Sequence, residues 1–245
     1  MKQNRYDDPV FFEQYSQMAR SQQGLAGAGE WPALRQMLPE DLTGMRVLDL
    51  GCGYGWHCRY LMEQGAERVL GIDLSHRMLE RAAEINQLPG ITYRQAAMED
   101  LRFPPQSFHL IVSSLALHYT PDYRLMVRRM ARWLRPGGQL VLSMEHPVFT
   151  AQGPQDWVYG PDGEIRHFPV DHYFSEGARE AVFLGQQVTK YHRTLTTCVN
   201  ALLEAGLTLR QLVEPQPPTD MLSLPGMADE LRRPMMLLLA AEKPL

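Results

Sequence analysis

The sequence predicts an α/β protein built on a doubly wound, seven-stranded, mostly parallel sheet, and three observations support this fold class. Short apolar runs alternate with stretches of helical periodicity along most of the 245 residues. The apolar run at residues 47–50 leads directly into a glycine-rich turn, as a buried parallel strand before a ligand-binding loop does. Hydrophobic residues make up 44% and charged residues 21% of the chain, which is ordinary for a globular domain with a sizeable core.

The glycine-rich turn is the most informative motif. Gly51, Gly53 and Gly55 stand at alternate positions, two residues after Asp49 and directly before a predicted helix that begins at Trp56. Missing side chains let the backbone approach a ligand, and the helix start offers unpaired N–H groups. A dinucleotide fingerprint places its third glycine three residues after the second, whereas here the spacing is two. A nicotinamide oxidoreductase is therefore disfavoured.

The second strand, at residues 68–74, also ends in an acid. Asp73 follows Gly55 by 18 residues, close to the spacing of the acid that takes ribose hydroxyls in nucleotide-binding folds. A carboxylate can accept hydrogen bonds from both hydroxyls of such a diol. The alternative for Asp73 is a turn or helix-capping acid. Ser75 is expected to cap the next helix, whose apolar residues follow helical spacing: Met78, Leu79, Ala82 and Ile85.

The remaining strands are predicted from short apolar runs. They lie at residues 91–94, 108–113, 139–144, 207–213 and 235–241. Asp122 is expected to cap a helix that ends at Pro136-Gly137-Gly138 and buries Met126, Met130, Trp133 and Leu134. Two further helices are expected, an amphipathic one at residues 6–20 and one at residues 191–205.

Residues 146–190 lack periodicity and are rich in aromatic and turn residues. So long a connection is uncommon without a functional reason, and it is interpreted as an insertion that forms a lid over a pocket. The alternative is a surface excursion that shields a sheet edge. The expected organisation is an N-terminal helical cap segment (1–40), a ligand-binding core (41–145), the lid insertion (146–190) and the C-terminal part of the same domain (191–245).

Taken together, the glycine loop and three later segments resemble the class I S-adenosylmethionine (SAM)-dependent methyltransferases. Residues 97–103 look like the loop of that family that flanks the adenine, 113–119 like its segment after strand four, and 134–140 like its turn before strand five. The resemblance is tight over residues 45–145 and weaker from 191 onward. It implies a Rossmann-like methyltransferase fold, SAM as cofactor and S-adenosylhomocysteine (SAH) as product.

The same resemblance implies roles for individual residues. Asp49, Gly51 and Gly53 would hold the methionine part of SAM, and Asp73 would take the ribose hydroxyls. The adenine would lie against Leu74, Met98 and Glu99, and the backbone of Ser113 and Ser114 would meet the methionine amine.

Histidines near the predicted pocket are the candidates for a general base, because imidazole titrates in the useful range. His118 follows the fourth strand and His146 the fifth, both at the carboxyl edge where open α/β sheets bind ligands. The alternative for each is a capping or loop histidine. Tyr191, His192 and Arg193 are placed at the start of the helix after the lid, where they either contact the acceptor or tie the lid down.

Charge and composition exclude other classes. The formal net charge of −4 gives no general case for nucleic-acid binding. An arginine stripe lies on the helix after Asp122 and is interpreted as a solvated face: Arg124, Arg128, Arg129, Arg132 and Arg135. The three cysteines suggest neither a disulfide framework nor a metal site. With no apolar run long enough to span a membrane and no signal-peptide pattern, a cytoplasmic location without membrane contact is expected.

The sequence therefore predicts a SAM-dependent methyltransferase that acts on an O or N atom of a small-molecule acceptor. A tRNA- or protein-directed methyltransferase and a non-catalytic SAM-binding module are the alternatives. The acceptor's identity and the oligomeric state, including a homodimer, are left open.

Overall fold

The computed structural model describes residues 3–245 and contains eleven strands and eight α-helices within that range. In chain order the helices are α1 (Pro9–Ser16), α2 (Ala19–Gln22), α3 (Trp31–Gln36), α4 (Trp56–Glu63), α5 (His76–Ile85), α6 (Tyr123–Trp133), α7 (Pro147–Thr150) and α8 (Leu195–Glu204). The strands are β1 (Arg46–Leu50), β2 (Arg68–Asp73), β3 (Ile91–Gln95), β4 (Phe108–Ser114), β5 (Leu134–Glu145), β6 (Val158–Tyr159), β7 (Ile165–His167), β8 (Gly177–Phe183), β9 (Gln186–His192), β10 (Thr208–Val213) and β11 (Met236–Glu242).

Seven of these strands form one sheet in the order β10-β11-β5-β4-β1-β2-β3. Strand β11 runs antiparallel to both of its neighbours, and the other pairs are parallel. The predicted fold class is therefore confirmed. The chain reverses its direction of winding at β1, which lies between β4 and β2, and ligands bind beside such a reversal at the carboxyl ends of the strands.

Helices cover both faces of the sheet. One buried cluster joins the sheet to α6 and α8, and a second joins it to α3, α4 and α5. Sequence caps start two of these helices as predicted, because the Ser75 hydroxyl accepts from the N–H of Met78 and the Asp122 carboxylate accepts from that of Leu125. Both faces of β1 and β4 are therefore apolar and buried, which explains their continuous apolar runs.

The expected single helix at residues 6–20 is wrong. The segment contains a short 3₁₀ turn (Arg5–Asp7) followed by α1 and α2. Proline lacks an N–H and is favoured in the first turn of a helix, so Pro9 starts a new helix with Asp8 as its cap.

The region between β5 and α8 also differs from expectation. It contains α7 and two hairpins, β6–β7 and β8–β9, instead of an irregular loop. The helix predicted at residues 191–205 starts only at Leu195, capped by Thr194, since Tyr191 and His192 are the last residues of β9. The second hairpin thus extends past the expected end of the lid.

Candidate active site

A cavity of about 720 Å³ opens at the carboxyl edge of the sheet. Its lining combines the glycine loop, the ends of β2, β4 and β5, the N-terminal segment and strand β9. One cavity therefore reaches from the motif that the sequence singled out to residues far from it in the chain.

The glycine loop needs all three of its glycines, for two different reasons. Gly51, Gly53 and Gly55 have φ of 76°, 50° and 76°, in the left-handed region that favours glycine. A Cβ at Gly51 would overlap the methyl of Ala116, and one at Gly55 the hydroxyl of Tyr93. At Gly53 a Cβ would meet nothing within 4 Å, so this glycine leaves open space beside a cavity that it lines. The loop is a cradle that a side chain would fill.

Asp73 is anchored by backbone N–H groups on both sides of the cavity floor. One carboxylate oxygen accepts from the N–H of Gly53 at 2.9 Å and the other from that of Ser75 at 2.8 Å. Burial raises the pKa of the carboxyl, and the two N–H donors oppose that effect. Each oxygen keeps further lone-pair capacity, so the carboxylate can still receive the two hydroxyls of a ribose.

Asp49 lies beneath the glycine loop and outside the cavity lining. Its Oδ2 accepts from the Cys58 thiol at 3.2 Å, while its buried Oδ1 has no hydrogen-bond partner within residues 3–245. Burial raises the pKa of Asp49 to about 7. An orphaned buried carboxylate oxygen suits an ammonium or a bridging water of a ligand seated in the loop.

The predicted adenine residues Leu74, Met98 and Glu99 line the same part of the cavity as Asp73. Ser114 lines it as well, whereas the buried Ser113 donates its hydroxyl to the carbonyl of Leu50 at 2.8 Å. The cradle, the anchored carboxylate and the orphaned oxygen together fit the charged amino acid and the nucleoside of SAM.

His118 lies at the far end of the cavity, in the 3₁₀ turn Leu117–Tyr119. The side chain is 4% exposed, and its Nδ1 is buried without a hydrogen-bond partner within residues 3–245. Burial lowers the pKa of His118 to about 4, with Lys190 and Arg193 adding to the effect and Glu145 opposing it. The imidazole is therefore neutral at physiological pH and able to accept a proton.

His146 does not line the cavity. Its Nδ1 accepts from the N–H of Val148 at 3.0 Å as the cap of α7, and its Nε2 lies 2.9 Å from Glu214. Burial lowers the pKa of His146, and Glu214 opposes that effect. Of the two candidate histidines, His118 therefore lines the cavity and His146 does not.

Among Tyr191, His192 and Arg193, only Tyr191 lines the cavity. His192 is held between the Thr150 hydroxyl and the Tyr173 carbonyl, each at 2.8 Å. The buried Arg193 donates to the backbone carbonyls of Leu117, Thr120 and Tyr191, and so fastens the turn that carries His118.

Sequence reasoning missed a buried charged cluster opposite His118. Lys190, on β9, is 3% exposed, and its Nζ lies 2.5 Å from Glu145 Oε1 and 2.8 Å from Gln155 Oε1. Gln155 in turn donates to the other oxygen of Glu145 at 2.7 Å. Burial raises the pKa of Glu145, but His118, Lys190 and Gln155 outweigh it, so the pKa lies below its usual value. No hydrophobic alternation marks β9 in the sequence, so no sequence signal pointed to Lys190.

The N-terminal segment covers the cavity and contributes Tyr6, Tyr15 and Arg20 to its lining. The Asp7 carboxylate accepts from the hydroxyl of Ser75 at 2.5 Å, on the cofactor side. On the opposite side the amide oxygen of Gln3 accepts from the N–H of Thr189 at 2.7 Å. The segment therefore bridges the two ends of the cavity.

Arg20 forms an ion pair with the buried Glu30. Its guanidinium donates to Glu30 at 3.0 Å, and the side chain of Glu30 is only 2% exposed. Of the two arginines in residues 18–36, Arg20 lines the cavity and Arg35 does not, and Glu30 orients the Arg20 guanidinium.

Known proteins match this chain over most of its length. The family described as "Methyltransferase domain" matches residues 48–142. A solved structure from Listeria monocytogenes is 47% identical, covers 91% of this chain and 100% of its own, and superposes with a TM-score of 0.86. One from Mesorhizobium loti is 45% identical, covers 90% and 100%, and has a TM-score of 0.82. Both are described as S-adenosylmethionine-dependent methyltransferases.

Relatives that match only part of the chain act on different acceptors. A ubiquinone biosynthesis O-methyltransferase from Neisseria meningitidis is 36% identical over 48% of this chain and 58% of its own length. A tRNA U34 carboxymethyltransferase from Idiomarina loihiensis is 35% identical over 42% and 34%. With the fold, the cradle and the near-full-length matches in agreement, this chain belongs to the class I SAM-dependent methyltransferases.

Proposed function

We propose that the chain methylates an O or N atom of a small-molecule acceptor, with SAM as its cofactor. The observation that carries the proposal is the single cavity, which joins the cofactor cradle to a second end lined by His118, Glu145 and Lys190 under a covering N-terminal segment. Within residues 3–245 no helix has the length and apolar composition needed to cross a membrane.

Most of the proposed cofactor contacts lie in the cavity lining, whereas Asp49 and Ser113 are buried outside it. Gly51 and Gly53 would meet the methionine part with their backbone, Asp49 its ammonium, and the backbone of Ser113 and Ser114 the same end. Asp73 would hold the ribose, and Leu74, Met98 and Glu99 would flank the adenine. Arg20 is added as the partner of the methionine carboxylate, because it is a cation oriented by Glu30 at the cavity wall.

Bound SAM supplies a methyl group that its sulfonium already activates for in-line displacement. The chain's part is then to align the acceptor and exclude water, contributions worth roughly 7–11 kcal/mol when the geometry is good. The N-terminal segment, pinned at Ser75 and Thr189, would provide that exclusion. Neutral His118 would accept the acceptor's proton where one must be lost, worth about 10²–10⁴-fold in rate.

His146, His192 and Arg193 are proposed to act on the architecture and not on the acceptor. His146 caps α7, His192 ties the lid to Thr150, and Arg193 fastens the His118 turn. Removal of any of them would therefore affect stability, and removal of Arg193 would also affect the placement of His118.

A macromolecular acceptor is the second candidate, favoured by the tRNA-modifying relative and by the arginine stripe of α6. Contacts within the protein weaken that case, because Arg124 pairs with Glu204, Arg129 donates to the Glu99 carbonyl and Arg135 lies 2.8 Å from His109. Arg128 and Arg132 remain exposed.

The test is transfer of a radiolabelled methyl group from SAM into a bacterial extract that is split into metabolite, RNA and protein fractions. Label in the metabolite fraction supports the proposal and provides a compound to identify. Label confined to RNA or protein refutes it in favour of the second candidate, and SAH release without any labelled fraction refutes transfer to this class of acceptor.

A further inference from the structure

We propose, in a deduction that depends on the proposed function, that the acceptor is a phenol-type hydroxyl on a planar ring, bound as its oxyanion against Lys190. The hydrogen-bonding capacity and the charge of the acceptor end distinguish an O acceptor from an N acceptor. The residues that do so are Lys190, Glu145 and Gln155, with Arg193 behind His118 and the aromatic walls.

The hydrogen bonds of the buried cluster leave a donor for the ligand. Both carboxylate oxygens of Glu145 are engaged, one by Lys190 and the other by Gln155. The Lys190 ammonium has three N–H groups and uses two of them, on Glu145 and Gln155. No third hydrogen-bond partner of Nζ is found within residues 3–245. The group that remains available at this wall is thus an N–H of a cation.

A donor at that point favours an oxygen nucleophile. The nitrogen of a neutral amine has one lone pair, which must attack the methyl carbon and cannot also accept from Lys190. An oxyanion has three, so it can accept from the ammonium and still present a lone pair to the methyl group. Charge-assisted N–H···O⁻ hydrogen bonds are also stronger than neutral ones.

The charges around His118 point the same way. Arg193 is 8% exposed, donates only to backbone carbonyls, and has no carboxylate within 4 Å in the described part of the chain. Two buried cations, Lys190 and Arg193, therefore act on His118 together with one carboxylate, that of Glu145. Glu176 and Asp122 also act on Arg193, but from beyond 4 Å, where Glu176 binds Thr194 and Asp122 caps α6. An anionic acceptor offsets this excess of buried positive charge, whereas a protonated amine adds to it.

The walls of this end suit a planar ring. Tyr6, Tyr119, Phe183 and Tyr191 line it, with Met235 and Met236 beside them. The hydroxyls of Tyr6 and Tyr119 lie 3.3 Å apart, and burial raises the pKa of both, so that they stay protonated as donors. Aromatic walls with a few convergent donors are the usual setting for a planar ligand with one polar group.

The step balances with the groups present. The acceptor's O–H proton is relayed through neutral His118 to solvent when the acceptor binds, because an imidazole with a pKa of about 4 does not retain it. A lone pair of the resulting oxyanion forms the O–CH₃ bond. The CH₃–S bond breaks with its electron pair going to sulfur, which leaves a neutral thioether, and no other reactant is needed.

The first test uses 4-nitrophenol as a chromophoric probe in the SAH complex, where no transfer can occur. The wild-type protein is expected to raise the acid dissociation constant of the bound probe by about tenfold or more, since a nearby cation within hydrogen-bond reach has effects of this size. Lys190→Met should abolish that increase, and Lys243→Met, remote from the cavity, should leave it intact. Glu145→Gln keeps the cation and removes the opposing charge, so it should increase the constant further.

Failure of the probe to bind, an unchanged constant in the wild type, or the same constant in Lys190→Met would overturn the proposal. If Lys190→Met does not fold, Glu145→Gln alone decides, because its effect must have the opposite sign. A second assay compares methyl transfer to phenol and to aniline, which have the same shape. Preference for aniline, or extract label found in amines, overturns the oxyanion but leaves the proposed function standing, whereas label confined to RNA or protein removes both.

Discussion

Replacing Asp73 by asparagine tests the proposed cofactor site most directly. The substitution keeps the size of the side chain and one acceptor oxygen, so one of the hydrogen bonds from Gly53 and Ser75 survives. The amide loses the charge and turns its second acceptor into a donor, which faces the other backbone N–H. The ribose then loses a charged partner for its two hydroxyls.

The expected loss follows from those contacts. Hydrogen bonds to charged groups contribute about 1.5–3 kcal/mol each, and two such bonds to the diol are at stake. Allowing for the part that asparagine recovers, we expect SAH binding to weaken by about 3 kcal/mol, which corresponds to more than a hundredfold in Kd. Burial raises the pKa of Asp73, so the wild-type carboxyl is less costly to neutralise and the loss should not greatly exceed this figure.

Isothermal titration of SAH into the wild type and Asp73→Asn measures the loss, and thermal unfolding verifies that the variant is folded. Asp41→Asn, an exposed acid at a turn outside the cavity, is the matched control. Titration with the 2′-deoxy analogue of SAH completes a double-mutant cycle. A change of less than threefold in Kd for the folded variant, or equal losses with SAH and the 2′-deoxy analogue, would refute the assignment of Asp73 to the ribose.

Three further substitutions have distinct expected outcomes. His118→Ala should lower kcat by about 10²–10⁴-fold with little change in SAH affinity, and an unchanged kcat contradicts the proposed role. Because the pKa of His118 is about 4, the pH profile of the wild-type rate should show no ionisation of this residue near neutrality. Arg20→Met should weaken SAH binding about tenfold or more but leave an adenosine thioether without the amino-acid part unaffected, as two parallel titrations would reveal. Burial raises the pKa of Asp49 to about 7, so the folded state retains a proton that the unfolded carboxyl releases above its ordinary pKa. The folded state therefore loses stability relative to the unfolded state as pH rises from about 4 to 7. Asp49→Asn should therefore gain in Tm over the wild type between about pH 5 and about pH 8, and a constant difference would contradict the shift.

The cofactor half of the site could be predicted from sequence because its determinants are local. Gly51, Gly53 and Gly55 have positive φ, and Asp49 and Asp73 lie among the last two residues of the strands β1 and β2. Parallel neighbours β1 and β2 then bring those strand ends to the same edge. Local patterns and one topological rule therefore suffice to place Asp49, Gly53 and Asp73 together.

The acceptor half could not be predicted in this way, because polar residues occupy the buried face of its strand. In β9 the buried positions are Val188, Lys190 and His192, and the intervening residues are more exposed. Buried and more exposed residues alternate regularly along β9, but apolar and polar residues do not. Without that apolar pattern the sequence does not predict a strand here, and the prediction assigns Tyr191 and His192 to a helix. The burial of Lys190 depends on Glu145 and Gln155, which lie 45 and 35 residues away in the chain.

Acceptor specificity can change independently of cofactor binding, because the two sets of proposed contacts come from different parts of the chain. Apart from Arg20, the proposed cofactor contacts come from residues 49–114, where a Cβ at Gly51 or Gly55 would overlap a neighbour. The proposed acceptor contacts come from five parts of the chain that meet only in the folded protein: the N-terminal segment, the turn Leu117–Tyr119, the end of β5, the hairpin β8–β9 and the start of β11. Substituting Lys190 or Glu145 changes the charge at the acceptor end without touching the cradle. Variants of the proposed acceptor contacts are therefore expected to change the acceptor while SAH affinity stays the same. Variants of the proposed cofactor contacts are expected to lose SAH affinity.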